Sequence, residues 1–264
     1  MNRRDWLCTF SLWLREMKRF YRQPSRVVGA LASPLMFWVL IGSGIGRSFQ
    51  AGSGPHTQTY LEYFFPGTIM MILLFTAIFS TISLIEDRKE GFLQSVLVAP
   101  VSRLSLALGK ILGGTSLAFI QALLFLLIAP FLGVRLSWGG WGIVGAALFL
   151  NAFAWTGLGF LMAWRMQSVQ GFHAVMNLLL MPLWFLSGAL FPAEGAPAWL
   201  RFVMSLNPLT YGMAALRHAL SDGHSSIVSL PPEGPSFFII TLFGLFLFLL
   251  SGLAASRRSA EDLQ

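Results

Sequence analysis

Six runs of the chain, residues 27–46, 63–85, 111–134, 141–164, 174–191 and 236–256, contain no Asp, Glu, Lys, Arg or His. Each is near or above the ~18 apolar residues that carry a helix across a bilayer. In hydrocarbon a backbone must satisfy its own polar groups, so each run is expected to be helical. Only 11% of the 264 residues are charged, where a soluble domain carries about 25%. That is too little to coat a globule, so lipid must solvate much of the surface. The expected fold is an all-α integral membrane protein, a single transmembrane domain over 1–264 with six transmembrane helices. The fifth run is the shortest and contains Pro182, which predicts a kink or tilt. Between the third and fourth runs lie only residues 135–140, which permits only an antiparallel hairpin.

The basic residues set the orientation. With the N-terminus in the cytoplasm, the inner segments hold fourteen of the eighteen Lys and Arg, and the outer ones hold Arg47, Arg135, Arg201 and Arg217. Acidic residues divide seven to four, so the whole net charge of +7 falls on the cytoplasmic side. Both termini are expected there, and this topological use of the charge displaces a nucleic-acid partner. No cleavable signal peptide is expected, because charged residues through Arg26 delay the first apolar run. Cys8 is the only cysteine, so no intramolecular disulfide forms.

Two inner segments carry further pattern. Within 3–25, Trp6, Phe10, Trp13, Met17 and Phe20 recur at steps of four and three, which puts them on one helical face. Arg15, Lys18, Arg19 and Arg22 fall largely on the other side. The pattern predicts an amphipathic helix lying in the headgroup layer, either as an anchor alone or also as a dock for a partner. Within 86–103, an acidic start at Glu86 and Asp87 suits a helix N-terminus. An apolar face at Leu93, Val96 and Leu97 follows, and Pro100 stops the helix. This is either an ordinary connector or a short cytoplasmic helix whose apolar face docks on something.

The outer segment 192–235 holds two apolar clusters at helical spacing, one around Trp199 and one from Leu209 to Leu220, separated by Asn207-Pro208. Asn207 is placed to cap the second helix and Pro208 to occupy its first turn. A short helical hairpin dipping into the outer leaflet is expected, packed on the bundle and roofing a pathway. Gln121, Asn151 and Asn177 lie within runs, as interhelical hydrogen-bond partners or as pathway lining. Phe64, Phe65, Trp184 and Phe185 are candidates for an aromatic route, though rings facing lipid need no cargo. Gly109-x-x-x-Gly113 and Gly142-x-x-x-Ala146 permit close helix approach. No lysine follows a phosphate-cradling glycine loop, and the four His show no metal-type pairing, so no catalytic residue, metal or bound cofactor is expected. Proton-coupled carriers place ionisable groups at mid-membrane, and none lies in these runs.

In order and spacing, several motifs resemble the type-2 ATP-binding-cassette exporter permeases, the bacterial drug, lipo-oligosaccharide and polysaccharide export subunits. They are the N-terminal helix; Phe65-Pro66-Gly67; Glu86 to Gly91 with Ala99-Pro100-Val101-Ser102-Arg103; Gly188-Ala189-Leu190-Phe191-Pro192; Pro197-x-Trp199-Leu200; and Asn207-Pro208-Leu209-Thr210-Tyr211 with Arg217. The likeness implies that 86–103, with Glu86, Gly91, Phe92, Leu93, Val96, Leu97, Pro100 and Arg103, is a coupling helix seated in a separately encoded ATPase. ATP and Mg would be bound by that partner. It further implies contact of the N-terminal helix with the ATPase, pairing with a second permease copy, and residence in the bacterial inner membrane. The alternative is a self-sufficient channel or secondary carrier, which would need polar residues facing a common pore.

Overall fold

The computed structural model describes residues 2–22, 24–45, 59–132, 137–221 and 231–261. Among them the chain forms eleven α-helices and no strands. These are α1 (Arg3–Tyr21), α2 (Pro24–Ile45), α3 (Tyr60–Ser80), α4 (Ile82–Lys89), α5 (Phe92–Val98), α6 (Arg103–Leu126), α7 (Trp138–Arg165), α8 (Val169–Phe185), α9 (Ala198–Leu206), α10 (Pro208–Leu220) and α11 (Glu233–Glu261). Among the described residues, five segments are long and apolar enough to cross a membrane: Val28–Ile45, Tyr60–Lys89, Arg103–Leu126, Trp138–Arg165 and Glu233–Ser256. The fifth expected crossing is instead a 17-residue helix, α8, short of that length. It ends at Phe185 because the chain turns back on itself, with Gly188 in the left-handed region at φ +81°.

The six helices that hold the charge-free runs each begin three to eight residues before the run does. Ser102, Ser137 and Ser168 cap α6, α7 and α8 by accepting from the backbone N–H three residues on. Thr59 and Glu62 form a capping box that starts α3 three residues before the expected point. Asn207 accepts from Leu209 N at 3.0 Å and Pro208 opens α10, as its sequence predicts.

Helix α3 is the hub, packed against α2, α6 and α7, while α11 lies on α7 and α6. The aromatic residues in the first two turns of α3 are core. Phe64 stacks on Tyr60 and meets Phe37 and Trp184, and Phe65 meets Trp38 and Phe125. Phe64, Phe65 and Trp184 are fully buried inside the chain, and only Phe185 of the expected aromatic route is exposed. Rings that stack between helices of one chain expose no face to a passing molecule there. Asn151 is likewise buried. It donates to the carbonyls of Ala147 at 2.8 Å and Gly212 at 3.3 Å, joining α7 to α10.

The turn after α8 packs on the start of α3. Tyr63 and Tyr60 donate to the carbonyls of Gly188 and Leu190, and Trp184 donates to that of Gly67. A Cβ on Gly67 would sit 2.6 Å from the Ala189 carbonyl oxygen, which accounts for glycine in Phe65-Pro66-Gly67. Arg217 of α10 is buried here, donating to the Gly188 carbonyl at 3.0 Å with its guanidinium 4.1 Å over the Tyr63 ring. Tyr211 donates to the Ser205 carbonyl and ties α10 to α9. Helix α10 is thus wedged against α11, α7 and α3, whereas α9 exposes Trp199, Phe202 and Leu206.

Candidate functional site

At one end of the bundle, the chain leaves α3, makes a short excursion and re-enters as α6. Ser80 and Thr81 donate back to the carbonyls of Ala77 and Ile78, three residues earlier, and this tightening breaks α3 from α4. Helix α4 ends at Lys89. Gly91, at φ +76°, makes the turn into the seven-residue α5, which only a residue without Cβ enters at no steric cost. Helix α5 ends before Ala99-Pro100, as Pro100 predicts.

The segment 86–103 is therefore not one helix. Glu86 and Asp87 lie in the last turn of α4, where the dipole disfavours carboxylates. They are held there by cations. Arg15 of α1 forms a two-pronged pair with Asp87, both bonds at 2.7 Å, and its guanidinium lies 3.8 Å over the Phe92 ring. The bond to Asp87 raises the affinity of Arg15 for its proton further. Arg19 donates to Glu86 at 2.5 Å and Asp87 at 3.2 Å. Lys110 of α6 donates to Glu16 of α1 at 2.5 Å and also to Asp87. Three cations thus meet three carboxylates, with Glu16, Asp87 and Lys110 buried. Ions moved out of water carry a desolvation cost of several kcal/mol each, offset only by close pairing of this kind.

The far end of the excursion is tied to the same helix. Asp5 of α1 accepts from Ser102 N at 2.8 Å, and this backbone bond holds its carboxyl below the ordinary carboxylate range. Helix α1 is seated on α6 by Thr9, Leu12 and Glu16, opposite Gly109 and Gly113. A Cβ at Gly109 would meet the Thr9 carbonyl oxygen at 2.9 Å, and one at Gly113 would meet the Glu16 side chain at 2.8 Å. Arg88 reaches the other way and caps α7 through the carbonyls of Trp164 and Met166, at 2.6 and 2.9 Å.

Several expectations change. The aromatic stripe of α1 does not act as one face: Trp6 and Phe10 are exposed, Met17 is buried, and Trp13 donates to Ser116 of α6. Arg15 and Arg19 point into the protein rather than to headgroups. On α5, Leu93 is only 3% exposed, and Phe92, Val96 and Leu97 pack against the core. The apolar face expected to be free is the one that seats α5 on its own bundle. Its open rim is Gln94, Ser95 and Val98, with Val98 83% exposed. Arg103 is the first residue of α6. The pair Gly109 and Gly113 receives α1, and Gly142 has nothing within 4 Å. Glu16, Asp87 and Lys110 were not among the expected site residues. The signal available was Lys110, one residue outside an apolar run and inside the longer helix, α6, that forms there.

A bundle of apolar helices, with a short helix braced between two of them at one end, defines a multi-pass membrane protein. A family model described as ABC-2 type transporter matches residues 8–221, and the chain belongs to that family of membrane permeases. It is 31% identical over 252 residues, 91% of this chain and 86% of the other, to a ycf38-named transport permease of Cyanophora paradoxa. It is 24% identical to Nodulation protein J of Sinorhizobium fredii, over 85% of each chain. It is 23% identical to the daunorubicin resistance ABC transporter permease protein DrrB1 of Streptomyces coeruleorubidus, over 79% of this chain and 73% of that one.

Proposed function

We propose that this chain is the membrane subunit of an ATP-driven exporter. It moves an amphipathic, lipid-linked or drug-like cargo, or a polysaccharide, outward across a bacterial inner membrane. Energy comes from a separately encoded ATPase that carries ATP and Mg and seats on the open rim of α5. Helix α8 completes six crossings, both termini are cytoplasmic, and α9 with α10 forms the outer hairpin. The exposed apolar side of α8, with Val175, Leu178 and Leu179, supports pairing with a second copy. The drug-like class draws support from the DrrB1 name, and the self-sufficient carrier draws none from family membership.

The observation that carries this reading is the clamping of α5 at both ends by α1, through Asp87 before it and Ser102 after it. A push on α5 then moves α3, α6 and α1 together. The test is co-purification with the partner ATPase. Gln94→Glu with Val98→Asp, on the open rim, should reduce capture at least tenfold while leaving the permease folded. Unchanged capture, or cargo movement in vesicles holding the permease alone, overturns the reading.

A further inference from the structure

A cavity of about 470 Å³ opens between α1, α2, α3, α6 and α8. It begins beside Glu16 and Arg19 and runs inward past Phe79 and Thr76 to Gln121. None of the aromatic residues that the sequence offered for a route lines it. Its wall is mostly apolar, with Phe75, Met71 and Met181, and Phe79 packs against His173 at 4.7 Å between ring centres.

Two polar groups in it behave unlike their neighbours. Thr68, Thr115, Thr156 and Thr241 each donate to the carbonyl four residues earlier in their own helix. Thr76 instead reaches across to Gln121 Oε1 at 2.5 Å. With Thr76 donating to the amide oxygen, Gln121 Nε2 is the remaining donor, and that nitrogen has no partner among the described residues although Gln121 is fully buried. A buried donor without an acceptor costs about 1–3 kcal/mol, and an acceptor brought by a ligand removes that cost. The charges at the cavity's end are already matched by one another, so they do not call for a charged ligand.

We infer that this cavity is a binding site for a neutral, apolar molecule bearing a carbonyl oxygen, which accepts from Gln121 Nε2 while its body lies against Phe75, Phe79 and the two methionines. The volume suits a drug-sized molecule. Calling that ligand a cargo rests on the exporter reading, whereas its binding does not, and the test uses no ATPase.

The probe is 4-octylbenzophenone, a diaryl ketone that both presents the carbonyl and inserts into nearby C–H bonds on irradiation. The full chain is irradiated with it in nanodiscs of ether-linked phospholipid, and adducts are located by peptide mass spectrometry. Adducts are expected at Met71 or Met181. Gln121→Leu, which keeps the bulk and removes the donor, should reduce them at least tenfold. Gly29→Phe fills open space at the cavity wall, leaves Gln121 untouched, and should do the same. Repeating the labelling with ester-linked phospholipid separates the sources. A fall in labelling makes the lipid ester carbonyl the occupant, and unchanged labelling makes it a free ketone. Labelling of Met71 and Met181 that is equal in wild type and both variants, or adducts only at the exposed Met36, overturns the inference. Absence of labelling in the wild-type chain overturns this site alone, whereas failure of the separate co-purification test overturns the exporter reading and leaves the binding standing.

Discussion

Lys110 shows how one residue changes meaning between a sequence and a structure. Beside an apolar run it looks like a headgroup lysine, yet it is buried and shared by Glu16 and Asp87, which come from two other helices. Nothing local marks such a triad, because its members lie 94 and 23 residues from Lys110. Lys110→Met strands Glu16, whose only other cation among the described residues is Arg15 at 3.9 Å. A loss of about 3 kcal/mol is expected, in the range for a buried pair broken on one side. Adding Glu16→Gln should restore about 1–3 kcal/mol as a coupling term, measured by thermal unfolding in detergent. Additive losses would mean that the two do not share a bond. Glycines separate in the same way. Gly67→Ala drives a Cβ into the Ala189 backbone and should cost about 1–3 kcal/mol. Gly142→Ala meets nothing within 4 Å and should stay within about 0.5 kcal/mol.

Periodicity found α1 but misassigned its faces. Spacing shows that Trp6, Phe10 and Trp13 share a side; it does not show which side the protein takes. That is decided by Gly109 and Gly113 on α6, whose missing Cβ atoms admit the backbone of Thr9 and the stem of Glu16. The aromatic residues Trp6 and Phe10 are then left outward, where lipid suits them. Similarly, the apolar positions of α5 were legible as a face, but a seven-residue helix has too little surface to bury one face at home and offer it to a partner too. Gly109→Val should lift α1 from α6. Trypsin cleavage after Arg15 or Arg19 is then expected to accelerate at least tenfold, because those side chains lose the carboxylate partners that hold them. The same substitution should weaken ATPase capture even though it touches no residue of α5. Unchanged proteolysis would mean that α1 is held by its ion pairs alone.

At the scale of the whole molecule, most of the fold was legible because lipid is so exacting a solvent: a charge-free run of sufficient length has few other fates. The exception is instructive. Helix α8 has 17 residues, about 26 Å at 1.5 Å per residue, against a hydrocarbon thickness of about 30 Å. The apolar run was long enough, but Gly188 turns its last residues back onto α3, so length in sequence did not become length along the membrane normal. Whether α8 still crosses decides the topology beyond it, and one experiment reads this out. In a Cys8→Ser background, single cysteines replace Ser168, before α8, and Ala196, after it; both positions lie outside helices. A membrane-impermeant maleimide added to sealed, right-side-out vesicles should modify Ala196→Cys and leave Ser168→Cys unmodified until the vesicles are opened. That pattern follows from the basic excess on the N-terminal side, which a crossing α8 preserves by leaving Arg201 and Arg217 outside. Labelling of both positions from the same side would make α8 a re-entrant hairpin limb. It would also conflict with the packing of α10 and of the turn after α8 on the start of α3, the end opposite the ion cluster.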